Sequence, residues 1–92
     1  MATVTARHIL VSSEEQCLTL KGEIEAGADF GEVAKLNSSC PSRMQGGDLG
    51  AFTPGQMVKE FDEVVFSGPI NTVLGPVKTQ FGYHLIEITK RW

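Results

Sequence analysis

Apolar and polar residues alternate from Val4 to Val11, with Val4, Ala6, His8 and Leu10 on one side and Thr5, Arg7, Ile9 and Val11 on the other. A period of two predicts a strand, whose successive side chains point to opposite faces. The period then changes. Ser12 and Glu15 stand at capping-box spacing, and Cys17, Leu20 and Ile24 fall on one face of a helix running to about Glu25. Gly27 is a natural stop, because glycine enters the left-handed conformation that ends helices. Asp29, with Glu32 three residues on, predicts a second helix that buries Phe30, Val33, Ala34 and Leu36 and ends before Asn37-Ser38-Ser39.

The stretch from Cys40 to Gly47 is polar, holds Pro41 and two glycines, and is read as a loop. Leu49 to Phe52 predicts a short strand and Thr53-Pro54-Gly55 a turn. Met57, Val58, Phe61, Val64 and Val65 then recur at helical spacing until Gly68-Pro69 breaks the pattern. Leu74 to Lys78 and Tyr83 to Thr89 predict two last strands, joined through Thr79-Gln80-Phe81-Gly82, with His84, Ile86 and Ile88 sharing a face. No repeat, low-complexity tract or linker interrupts the chain. The order is strand, two helices, strand, helix, strand, strand. It predicts one α+β domain over residues 1–92 with a small, mostly antiparallel sheet.

Composition narrows the function classes. The 92 residues are 41% hydrophobic and 21% charged, enough apolar material for one small core and too little net charge for a disordered chain. The formal net charge is −3 and, apart from Lys90-Arg91, the basic residues are scattered, which argues against a nucleic-acid partner. No apolar run approaches the ~20 residues of a membrane span, and the first eight residues do not read as a signal peptide, so a cytoplasmic location without membrane partners is expected. Two cysteines are too few for a disulfide framework. Cys17 reads as a small buried hydrophobe, and Cys40 as a loop thiol of different fate.

The candidate chemistry gathers in two glycine-punctuated stretches, Gly46 through Phe61 and Phe81-Gly82-Tyr83-His84. Small residues beside a few bulky apolar and histidine side chains suit a shallow apolar pocket with polar groups on its rim. Each of these residues also has a plainer reading. His8 and His84 could be satisfied core histidines, and Met57 and Phe61, four apart, could be helix core. A zinc site from His8, Cys17, Cys40 and His84 is conceivable by residue type, but no metal-binding spacing supports it, and no metal or cofactor is expected. A hydrolase built on Cys40 with either histidine lacks any nucleophile-elbow or oxyanion-hole signature.

Several segments in one order carry a resemblance: His8-Ile9-Leu10-Val11, Ala28-Asp29-Phe30, Gly46 through Phe52, Gly55-Gln56-Met57, Phe61 and Phe81-Gly82-Tyr83-His84. Together they span nearly the whole chain and resemble the parvulin family of peptidyl-prolyl cis/trans isomerases, most of all the small stand-alone bacterial parvulins. The resemblance implies a four-stranded antiparallel sheet wrapped by helices, with paired histidines in adjacent strands beneath the site. It also implies that Leu49, Met57 and Phe61 form a proline pocket. Phe52 would border that pocket, Gln56 lies in the same motif, and Phe81 would stand at the rim. His8, Cys40, Thr79 and His84 would form a hydrogen-bonded polar cluster, with Cys40 where other members carry aspartate.

The implied activity is cofactor-free, non-covalent isomerisation of X-Pro bonds in proline-containing peptides and unfolded or flexible polypeptides, by a monomer. A peptide-binding holdase of the same fold without activity is the alternative. One departure is informative. Phosphate-directed parvulins carry a basic loop after the first strand, and this chain has Ser12-Ser13-Glu14-Glu15 there. Two carboxylates repel a dianionic phosphate, which needs Arg or Lys. An apolar residue before the proline is therefore expected, and phosphoserine is not.

Overall fold

The structure is a computed structural model that describes residues 3–92; Met1 and Ala2, which open the N-terminal segment read above, lie outside them. Its elements are β1 (Val4–Val11), α1 (Glu14–Glu25), α2 (Phe30–Asn37), a 3₁₀ turn (Pro41–Gln45), β2 (Asp48–Phe52), α3 (Lys59–Val65), β3 (Val73–Thr79) and β4 (Gly82–Arg91). The four strands form one sheet in the order β2-β1-β4-β3, antiparallel throughout. This is the α+β architecture that the element order predicts.

The sheet is covered on both faces. On one side Ile9, Val11 and Leu85 pack with Cys17 and Leu20 of α1 and with Phe30, Val33 and Ala34 of α2. On the other, Val4, Ala6, Ile86 and Ile88 pack with Phe61 and Val65 of α3 and with Phe52. The alternation along β1 thus separates two half-cores rather than core from solvent. His8 and His84 lie on the α3 side, the side with less helix over it.

Local details differ from the sequence reading in four places. The cap of α1 is Ser13, whose hydroxyl accepts from the Gln16 amide at 3.1 Å, and Ser12 is left outside. Leu36 is 79% exposed. At 3.6 residues per turn, Phe30, Val33, Ala34 and Asn37 share the inward side of α2, and Leu36 falls off it. The loop from Cys40 contains a turn of 3₁₀ helix that the polar composition concealed. Finally, α3 starts at Lys59, so Met57 lies in the preceding loop and Val58 at the cap, while Phe61, Val64 and Val65 are helical.

Asp29 caps α2 as predicted, accepting from the Glu32 amide at 3.0 Å. Gly27 ends α1 at φ 118°, with Gly27 N–H bonded to Ile24 O and Ala28 N–H to Glu23 O, the paired bonds of a Schellman motif.

β2 contains the irregularity that matters most for the site. It pairs with β1 at Thr5–Ala51 and Arg7–Asp48, so one extra residue is taken up on β2. Gly50 sits within this bulge at φ 73°, a left-handed backbone that glycine adopts without strain. Leu49 and Phe52 are an odd number of residues apart and would face opposite sides of a regular strand. The bulge lets both pack on the α3 half-core.

Candidate functional site

Two strands supply the floor. His8 of β1 is registered opposite Ile86 of β4, and His84 opposite Leu10, so the two histidines are diagonal neighbours on one face. Their rings stack at 5.2 Å between centroids and 18° between planes. Nδ1 of His8 lies 3.0 Å from Nδ1 of His84. On its other side, His84 Nε2 is 2.7 Å from the Thr79 hydroxyl, which also accepts the Phe81 N–H at 3.1 Å.

Burial pushes the pKa of both imidazoles down. His8 falls to about 4, first through desolvation and then through the neighbouring charge of His84. His84 falls through desolvation. At neutral pH both rings are uncharged and share one proton across the Nδ1–Nδ1 contact. Two proton patterns satisfy this line of bonds: Thr79 donates to His84, which donates to His8, or every donor reverses. They differ in whether His8 Nε2, which is buried without a hydrogen-bond partner among the described residues, carries a proton or a lone pair.

Above the histidines opens a cavity of about 490 Å³, with Leu10, Leu49, Met57 and Phe61 among its apolar walls. Phe61, 3% exposed, stands nearly perpendicular to both imidazoles, at 5.6 Å from each ring. Met57 reaches the cavity from a loop held at two points. The Gln56 side-chain carbonyl accepts from the Thr53 amide at 2.7 Å, and Asp62 accepts from the Gly55 amide at 2.7 Å.

The opposite wall is Ser39, Cys40 and Pro41. It is fixed by Ser38, whose buried hydroxyl accepts from Leu10 N–H at 3.0 Å and Cys40 N–H at 3.3 Å. Beneath this wall, Gly47 accepts the His8 N–H at 2.9 Å. A Cβ on Gly47 would sit 2.3 Å from the His8 carbonyl oxygen, so only glycine allows that approach.

Most of the predicted site residues meet here. His8, Cys40, Leu49, Gln56, Met57, Phe61, Phe81 and His84 all line the cavity, with Phe81 62% exposed at its rim. Thr79 lies buried behind His84, in the hydrogen-bonded line. Two expectations need correction. Phe52 does not border the cavity. It is 4% exposed, and its ring packs on Phe61 at 6.2 Å and Phe66 at 6.1 Å, behind the wall. Cys40 lines the cavity, but no hydrogen bond among the described residues joins its thiol to the histidine line. The polar cluster is His8, His84 and Thr79.

Leu10, Ser39, Pro41, Val58 and the buried anchor Ser38 were not assigned to the site by the sequence reading. Only Leu10 left a signal, its place on the His8 face of β1. The zinc quartet is divided by the sheet, since Cys17 packs on the α1 side. Burial raises the Cys17 thiol to about 11, opposed by a smaller pull from Lys21 and reinforced by a small push from Glu14. Among the described residues, no three His, Cys, Asp or Glu side chains gather as metal ligands. The arrangement offers an apolar cleft over neutral, hydrogen-bonded imidazoles. It suits a compact apolar ring with an amide at its edge better than an ion.

Comparison with known proteins agrees with this geometry. The family description PPIC-type PPIASE domain matches residues 1–92. The foldase protein PrsA of Geobacillus kaustophilus is 44% identical over 89 residues, covering 96% of this chain and 32% of its own length. Foldase protein PrsA 1 of Bacillus cereus is 45% identical over 87 residues, covering 94% of this chain and 30% of its own length. The chain therefore spans about a third of these curated relatives. The crystal structure of PrsA from Bacillus anthracis superposes with a TM-score of 0.96 at 37% identity, over 99% of this chain and 42% of that one. NmPin, the parvulin of Nitrosopumilus maritimus, superposes with a TM-score of 0.88 at 35% identity and 98% of both chains.

Proposed function

This chain belongs to the PPIC-type peptidyl-prolyl isomerase, or parvulin, family, and on that premise we propose that it catalyses cis/trans isomerisation of X-Pro bonds in unfolded or flexible polypeptides. The observation that carries the reading is the cleft itself: Leu49, Met57 and Phe61 enclose apolar space directly over the bonded pair His8–His84.

Rotation about a peptide bond meets a barrier of ~18–20 kcal/mol, because planarity is held by resonance. For X-Pro the isomers differ by only ~0.5–1 kcal/mol, yet exchange takes tens of seconds or more. No bond need be made or broken. The catalyst must hold the twisted amide better than either planar form. Resonance separates charge between oxygen and nitrogen, so an apolar, water-free cleft disfavours the planar amide relative to the twisted one. Phe61 offers a flat wall to the pyrrolidine, and Met57 adapts to its shape.

Beneath, His84 and His8 act as fixed neutral dipoles, held by Thr79, toward which the rotating carbonyl turns. Cys40 serves as a wall of the cleft, without covalent attack. The apolar cleft also supports indifference to phosphate, since none of the residues lining it is Lys or Arg.

The test is NMR exchange in short X-Pro peptides. Acceleration by catalytic amounts of protein supports the reading. Peptide binding without acceleration would replace it with the silent holdase. The proposed compartment is the cytoplasm, supported by two free thiols that suit a reducing environment. A monomeric form that binds neither nucleic acid nor membrane is proposed with it, supported by the net charge of −3.

A further inference from the structure

A second groove, of about 460 Å³, adjoins the cleft and shares Met57 with it. Pro54, Met57 and Phe66 form its apolar walls, and Lys59, Asp62 and Glu63 of α3 its charged ones. Lys59 Nζ lies 4.0 Å from Glu63 Oε1, so those two charges offset each other within the wall. Asp62 is the remainder. One of its carboxylate oxygens accepts the Gly55 N–H, while the other is buried without a hydrogen-bond partner among the described residues. No ion pair among the described residues neutralises Asp62, whose side chain is only partly buried, so the groove wall keeps a net negative charge that a cationic head can offset.

Resting on the isomerase reading above, we propose that this groove receives the side chain next to the isomerised proline and selects lysine or arginine there, which at the position before the proline departs from the apolar preference expected from the sequence. Consecutive Cα atoms are only ~3.8 Å apart, so a residue beside a proline seated against Met57 is within reach of a groove that Met57 also lines. Pro54, Met57 and Phe66 cover the methylene stem of a long side chain, whose charged head extends to Asp62. The chain's net charge of −3 favours approach of a cationic segment. The preference is one of substrate selection, added to an isomerisation that the neighbouring cleft performs.

Peptides sharing one X-Pro core, with Lys, Ala or Glu placed immediately before or immediately after the proline, test this by NMR exchange at low salt. At one of the two positions the Lys peptide is expected to exceed the Glu peptide in kcat/KM by about fivefold, the scale of a partly exposed ion pair. The ratio should shrink as salt is raised. Asp62→Asn should bring it close to one. Because Asp62 also holds the Gly55 turn, Glu63→Lys serves as a second variant that reverses charge on the same wall, and it should lower the ratio too. Turnover of the Ala peptides with no Lys-over-Glu preference at either position would overturn the groove assignment and leave the isomerase reading standing. A preference that survives both variants would overturn it as well. Failure to accelerate any peptide would overturn both.

Discussion

Nδ1 of His8 and Nδ1 of His84 face each other at 3.0 Å, a contact that holds only while a single proton lies between them. A first added proton can be accommodated in the line toward Thr79. A second would set two N–H donors face to face. The pair is therefore built for the neutral state.

Stability should accordingly depend on pH in one direction. The unfolded His8 binds its proton near pH 6.5, and the folded one only near about 4. Between those values the unfolded chain holds more protons, so stability falls as pH drops through that window and is complete above it. The His8 shift corresponds to about 3 kcal/mol, and His84 acts in the same sense. Urea unfolding at pH 7.5, 5.5 and 4 measures it; a flat profile down to pH 4 would contradict the neutral pair.

Met57→Ala separates binding chemistry from folding. Met57 is half-buried in a loop, so its loss should cost little stability, yet it removes a cleft wall. We expect kcat/KM to fall by at least about tenfold, the effect of ~1.4 kcal/mol of lost transition-state contact, with a nearly unchanged thermal midpoint. Phe61→Ala should lose most activity too, along with roughly 3–5 kcal/mol of stability, because Phe61 is also core.

Cys40→Ser should retain a measurable fraction of activity, since the thiol lines the cleft but takes no part in the histidine line. Complete loss, or a trapped acyl-enzyme detected by mass spectrometry with ester substrates, would instead mark Cys40 as a nucleophile.

Gly47→Ala should destabilise by about 2 kcal/mol or more, combining a left-handed backbone at φ 88° with a methyl group driven into the His8 carbonyl. The displaced strand carries His8, so activity should fall with stability. Chemical denaturation and peptide exchange on the same samples report both.

Phosphorylating a serine before the proline should not raise turnover, since no Lys or Arg lines the cleft and Glu14 and Glu15 open α1. A tenfold preference for the phosphopeptide, measured side by side with its unmodified form, would defeat this expectation.

Local rules were written plainly in the chain. Alternation along Val4–Val11 put His8 on a face, the same alternation put His84 with Ile86 and Ile88, and Asp29 and Gly27 set a helix start and stop. These depend on neighbours within a turn or two, where the energetics are those of single caps and strand periods. The ambiguous cases involved near-equivalent groups. Ser12 and Ser13 carry the same hydroxyl, and which one caps α1 depends on where β1 leaves the sheet.

What periodicity could not express was decided by the packed sheet. Met57 and Phe61 are four residues apart and do line one cavity, but a pinned loop brings Met57 there, not a helical turn. The bulge at Gly50 turned Leu49 and Phe52 to the same side, and Phe66 then enclosed Phe52 behind Phe61. The separation of Cys40 from the bonded line, and the buried hydroxyl of Ser38 that anchors its wall, arise from contacts between distant segments. Residue types and spacing thus determined which strands and helices form and which side chains could serve a site. Register, bulge and burial, set by contacts across the sheet, decided which of them touch.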